Sequence, residues 1–312
     1  MATQLIEKQK DSDKFLLSNL EKHMKETGMK QTELARRLSV SPAQINQYLK
    51  GVYNGDIVKL EENIRNYLKL QESIKMYNGV KLNYIDTSVS LRIKNIAQMC
   101  QYNGEIGVCI GASGLGKTTT IQNIAKGRFD VITVDPNENA TPRSVLKQIA
   151  KHLKAAYHDN MILEDAINNI VDKLINRGYL IIIDEAENLR SDVFRTLRKV
   201  HDRCNFTCSL LFVGTESLHA QLKRMRGEFE YITNRIARVE LLDTISTEDV
   251  KKLVNQVFPD CDDMCMNAFI ALTNKNARIL FNTLKRTQDI IRSSGEMINP
   301  QMITAARSML LA

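Results

Sequence analysis

The chain has 312 residues, 43% hydrophobic and 25% charged, which suits about two globular domains and excludes wholesale disorder, collagen-like repeats and a disulfide-stapled miniprotein. Its 43 basic against 36 acidic residues leave +7, a mild excess that permits nucleic-acid binding without arguing for it. Charges interrupt every apolar run short of the roughly 18 residues a spanning helix needs, and residues 1–14 are too polar for a signal-peptide core, so a cytoplasmic chain with no membrane partner is expected.

Residues 1–70 are expected to form an all-α domain, with several short helices over 14–70. Within it, residues 31–49 (QTELARRLSVSPAQINQYL) fit a helix-turn-helix. Leu34, Ala35, Leu38, Val40, Ile45 and Tyr48 supply the apolar positions, and Ser41-Pro42 fits an N-cap and first turn. The turn position that glycine usually fills is Ser39. Ala43, Gln44, Asn46 and Gln47 then start the second helix, where amides can pair with base edges of double-stranded DNA. From 71 to 87 the periodicity fades, as in a linker.

From 88 to 243, helical patterns alternate with the apolar runs EIGVCI (105–110), VITV (131–134), YLIII (179–183), SLLFV (209–213) and ARVEL (237–241). Such runs predict buried parallel strands joined by crossover helices. The first ends in Gly111-Ala112-Ser113-Gly114-Leu115-Gly116-Lys117-Thr118, a complete G-x-x-x-x-G-K-[ST] loop between a strand and a helix that continues through Thr119. Backbone N–H groups of such a loop close around phosphate oxygens at a positive helix terminus. Lys117 is expected to reach the β- and γ-phosphates of ATP and Thr118 to ligate Mg2+. The third run ends in Asp184-Glu185, predicting that Asp184 helps hold Mg2+ and Glu185 polarises the attacking water.

Residues 141–157 start with Thr-Pro and place Arg143, Lys147 and Lys151 on one helical face, with Lys154 extending the stripe. Charge runs are usually solvated, but this one could also contact DNA phosphates without reading bases. Six cysteines include Cys204/Cys208 and Cys261/Cys265, whose spacing differs from the usual zinc-site gap and reads as plain helical i,i+4 pairs of free thiols. Residues 244–312 show only helical periodicity.

A strand with Gly-Lys-Thr followed by a strand ending Asp-Glu resembles the AAA+ ATPases. The fold expected is therefore an α/β P-loop core, a parallel sheet with flanking helices, between the helix-turn-helix domain and a C-terminal helical lid. By that resemblance Thr215 stands at the sensor-1 position, Arg235 or Arg238 at the arginine finger, and Arg278 at sensor 2. Asparagine is common at sensor 1, and threonine departs from that pattern. The order of parts, with Tyr53-Asn54-Gly55-Asp56 after the recognition helix, resembles the B-type transposition proteins of bacteriophage Mu along essentially the whole chain. That resemblance implies an ATP-state homo-oligomer, ring or filament, that assembles on duplex DNA, presents it to a transposase and is released on hydrolysis. The same domain order also suits an ATP-controlled helix-turn-helix transcriptional regulator, which would protect one palindromic operator. A helicase loader would bind a hexameric helicase, and a secretion- or wall-linked ATPase would need a membrane helix or wall-binding domain.

Overall fold

The computed structural model describes residues 2–76, 80–228 and 235–310, which divide into two compact units at Gly79/Val80. Among the described residues no helix is long and apolar enough to cross a membrane.

The first unit holds α1 (Ala2–Thr27), α2 (Gln31–Arg37), α3 (Pro42–Leu49) and α4 (Ile57–Met76). Two of these are long where short helices were expected, and α4 enters the stretch expected as linker. Leu16 and Leu20 of α1 and Leu60, Ile64 and Tyr67 of α4 close a core with Leu34, Ala35, Leu38, Ile45 and Tyr48. Ser39 adopts φ +55°, the left-handed turn that glycine would enter at less cost. Ser41 caps α3 by accepting from Gln44 N–H, with Pro42 in its first turn.

The second unit is a five-stranded, all-parallel sheet between two helical layers, in the order β2-β3-β4-β1-β5. Its strands are β1 (Ile106–Gly111), β2 (Val131–Val134), β3 (Leu180–Ile183), β4 (Ser209–Gly214) and β5 (Ile236–Leu242). Side chains alternate between its faces. Ile106, Val108 and Ile110 point into a core completed by α7 (Pro142–Leu153), α8 (Leu163–Leu174), α9 (Ser191–Arg203) and α10 (Glu216–Glu228). Cys109, Ile182 and Val213 face α5 (Ser88–Asn103), α6 (Lys117–Ala125) and the C-terminal helices α11 (Thr247–Asn255), α12 (Asp263–Leu272), α13 (Ala277–Ser294) and α14 (Pro300–Ser308). Each buried aliphatic side chain contributes about 1.5–3 kcal/mol over leaving it in water, and the three central strands, β3, β4 and β1, are buried on both faces.

Three expectations are corrected here. Strand β5 is an edge: Val239 and Leu241 are exposed, while Arg238 pairs with Glu105 and Glu240 with Arg92. Val80, Leu82 and Ile85, inside the expected linker, pack against the second core. Neither cysteine pair shares a helix: Cys204 closes α9 and Cys208 precedes β4 in one core, whereas Cys261 precedes α12 and packs with Cys265 against the other.

Candidate nucleotide site

The phosphate loop leaves the carboxyl end of β1 and turns into α6. Gly114 and Gly116 stand at φ +83° and +87°, a region that L side chains rarely adopt. Leu115 is buried and pins the loop to the core. Lys117 is also buried, and its Nζ donates to the carbonyls of Gly111 and Ala112 at 2.7 and 2.8 Å. Burial pushes this ammonium below its ordinary value, and nearby carboxylates oppose the shift. A phosphate entering the loop would supply the counter-charge that two neutral carbonyls lack.

A cavity of about 450 Å3 opens over the loop. It brings together residues 113–119, Asp184, Glu185, Thr215 and Arg278, with an apolar wall from Leu82, Tyr84, Ile85, Leu253 and Phe281. Asp184, at the end of β3, donates its backbone N–H to Val134 O at 2.9 Å, and its carboxylate accepts Glu185 N–H at 3.0 Å. Burial raises the Asp184 carboxyl, against the pull of the Thr118 hydroxyl, the Glu185 N–H and Lys117. Glu185 takes φ +45°, and its carboxylate accepts from Asn188 Nδ2 at 3.2 Å. A hydroxyl beside a buried carboxylate suits a hard divalent cation with oxygen ligands, so Thr118 and Asp184 fit Mg2+.

The lid helix α13 meets the loop directly. Asn276 caps it, accepting from the N–H groups of Arg278 and Ile279, and its own amide donates to Ser113 O at 2.8 Å. Arg278 donates its N–H to Gly114 O at 2.9 Å and its Nη1 to Ser113 Oγ at 3.2 Å. The sequence reading missed Asn276 as a loop contact. It also missed Glu187, whose carboxylate accepts from the hydroxyl and N–H of Thr215. All three carboxylates of Asp184-Glu185-Ala186-Glu187 line the cavity, and the sequence pattern singled out only the first two.

Other expected residues lie elsewhere. Arg235 stands at the amino ends of the strands, opposite its own phosphate loop, 3.7 Å from Asp202 Oδ1 and 5.5 Å over the Phe206 ring. Asn234, beside it, lies outside the described residues. Arg238 is in β5, not a helical turn from Arg235, and its Nε donates to Glu105 at 2.6 Å. On α7, Arg143 donates to the carbonyls of Asp159 and Met161, and Lys147 pairs with Asp159 at 2.7 Å, while Lys151 is exposed. Lys154 turns left-handed at φ +51° and leaves the stripe, because the helix ends at Leu153. On α3, Ala43 and Gln47 are exposed and Asn46 half-buried. The half-buried Gln44 amide is engaged at both ends, accepting from Ser41 N–H at 2.8 Å and donating to Tyr53 OH at 3.3 Å.

The family described as AAA domain matches residues 100–222, and the one described as helix-turn-helix matches residues 20–58. The parallel-sheet core has the fold of an AAA+ ATPase. Over 277 residues the chain is 23% identical to the Mu-like prophage FluMu DNA transposition protein B of Haemophilus influenzae, covering 86% of this chain and 94% of that protein. Among solved structures, Cdc6p of Pyrobaculum aerophilum superposes with TM-score 0.57 at 16% identity, covering 74% of this chain and 70% of its own. The ORC2 protein of Aeropyrum pernix, in ADPNP–ADP complexes, gives TM-score 0.55 at 18% identity over 73% and 70%. These two structures share the AAA core's fold, and transposition protein B aligns with both units.

Proposed function

We propose that this chain is an ATP-hydrolysing, DNA-binding protein of transposition. In its ATP state it assembles on duplex DNA, offers that DNA to a transposase, and comes off on hydrolysis. The observation that carries this reading is a cavity holding Lys117, Thr118, Asp184, Glu185 and Arg278 together, in a chain aligned nearly end to end with a transposition protein B. The loop N–H groups and Lys117 bind the phosphates, and Arg278 closes the lid side. Glu185 accepts a proton from the attacking water as its oxygen bonds to the γ-phosphorus and the β–γ bridging oxygen leaves with ADP. Thr118 and Asp184 would hold Mg2+, which would supply charge neutralisation for the phosphates. Arg235, far from its own loop, is suited to a neighbouring subunit's γ-phosphate.

The nearly end-to-end alignment with a transposition protein B favours this reading over the transcriptional alternative. Footprinting on several unrelated duplexes tests this. Continuous protection that requires ATP is expected, and Lys117→Ala should abolish it while leaving the melting temperature nearly unchanged. Protection of a single palindromic site, with or without ATP, would replace this reading with the regulator.

A further inference from the structure

Glu187 sits on the short 3-10 turn Ala186–Asn188 that follows β3, and it lines the nucleotide cavity. Its carboxylate closes on Thr215: Oε1 accepts from the hydroxyl at 2.7 Å and Oε2 from the backbone N–H at 3.3 Å. The end of β4 admits this only because residue 214 is glycine, since a Cβ there would lie 2.4 Å from Glu187 Oε2. Of the three carboxylates that oppose the effect of burial on Lys117, Glu187 acts most strongly, ahead of Asp184 and Glu185. The hydroxyl expected to sense the terminal phosphate is therefore already in use, and its user carries the same sign of charge as a phosphate.

We propose that Glu187 is a terminal-phosphate sensor, which occupies the Thr215 hydroxyl when the γ-phosphate is absent and is displaced when it is present. This rests on reading the cavity as an ATP site. Two anions compete for one donor beside a partly buried ammonium, where repulsion is stronger than in open water. ADP ends one phosphate short and leaves the Glu187–Thr215 pair intact, so the carboxylate biases the site toward the diphosphate. A ligand shifts such an equilibrium only through its different affinity for the two states, and here the difference is the γ-phosphate charge. The turn that carries Glu187 also carries Asn188, whose amide holds Glu185, so displacement of Glu187 is passed to the residue that activates water.

The test uses the full chain, titrated with ADP and with a non-hydrolysable ATP analogue in Mg2+. Glu187→Gln keeps the side chain's length and removes its charge. The affinity ratio of ATP analogue to ADP is expected to rise about tenfold, within the usual range of coupling between sites. The rise should shrink in a Thr215→Val background, where no hydroxyl draws the carboxylate toward the phosphate's place. An unchanged ratio overturns the proposal. So does an unchanged ratio with lost hydrolysis, which would make Glu187 a base instead. Should the glutamine variant not fold, Glu187→Ala carries the same ratio test. If the wild-type chain binds neither nucleotide, the reading of the cavity fails and the sensor with it; if both bind and the ratio stays fixed, only the sensor fails.

Discussion

Glu185 combines an exposed carboxylate with a left-handed backbone, a conformation a non-glycine residue adopts at a cost of order 1 kcal/mol or more. The residue lines the cavity over the phosphate loop. Glu185→Gln keeps its shape and its contact with Asn188 but cannot take a proton. Hydrolysis should fall about 10²–10⁴-fold with ATP affinity retained, and the variant should remain on DNA after wild type has left. Phosphate release and a filter-binding time course measure the two halves; wild-type turnover would assign water activation to another group. The phosphate loop was legible because its chemistry tolerates few residue types at fixed spacing. The role of Glu187 was not, because only the tight turn after Asp184 decides which glutamate meets Thr215, and that turn leaves no pattern in composition.

Helix α7 shows how an element can carry a charge stripe that its surroundings partly spend. Its buried face, Val145, Leu146, Ile149 and Ala150, was readable from period alone. The partners of its outer face were not, since Asp159 arrives from a loop beyond the helix end. Each phosphate contact contributes about −0.9 to the log–log salt slope on duplex DNA. With Lys147 held by Asp159 and Arg143 by two carbonyls, replacing Arg143, Lys147 and Lys151 together by Gln should flatten the slope by nearer one contact than three. Asp159→Asn should tighten DNA binding, and an unchanged slope in the triple variant would leave the stripe a solvated surface. At the end of α9, His201 is buried and its Nε2 donates to Gly104 O at 2.9 Å, since a carbonyl can only accept. Burial lowers its pKa below the ordinary 6.5, against the pull of Gly104 O and Asp202. The folded chain thus binds that proton less readily than the unfolded one. Its contribution to stability is full above pH 6.5 and is lost as pH falls toward the lowered value. Melting temperatures at pH 7.5 and 5.5 should diverge in wild type and converge in His201→Gln, whose amide can still donate to Gly104.

At the scale of the whole chain, Arg235 and Lys117 lie at opposite ends of the strands, so one subunit's guanidinium cannot serve its own loop. On the proposed reading, in which Arg235 serves a neighbouring subunit's loop, Arg235→Ala should abolish hydrolysis, a loss of about 10³–10⁵-fold for an arginine finger. Mixing it with Lys117→Ala should partly restore turnover, because each lends what the other lacks. No rescue in mixed assemblies would reject the finger; Arg238, paired with Glu105 in β5, would need to break that pair to replace it. The order of strands in the chain was readable from five apolar runs, but the exposed side of β5 was not, since edge and centre differ only in what packs beside them. The bonds between α13 and the phosphate loop have a kinetic corollary. A backbone amide trades its hydrogen for deuterium only while its bond is open. The Arg278 amide is bonded to Gly114 O, so its exchange rate counts openings of the loop from the far side of the lid. A nucleotide that stiffens the loop should slow deuterium uptake in the first turn of α13, and anything that wedges this helix outward should hasten product release.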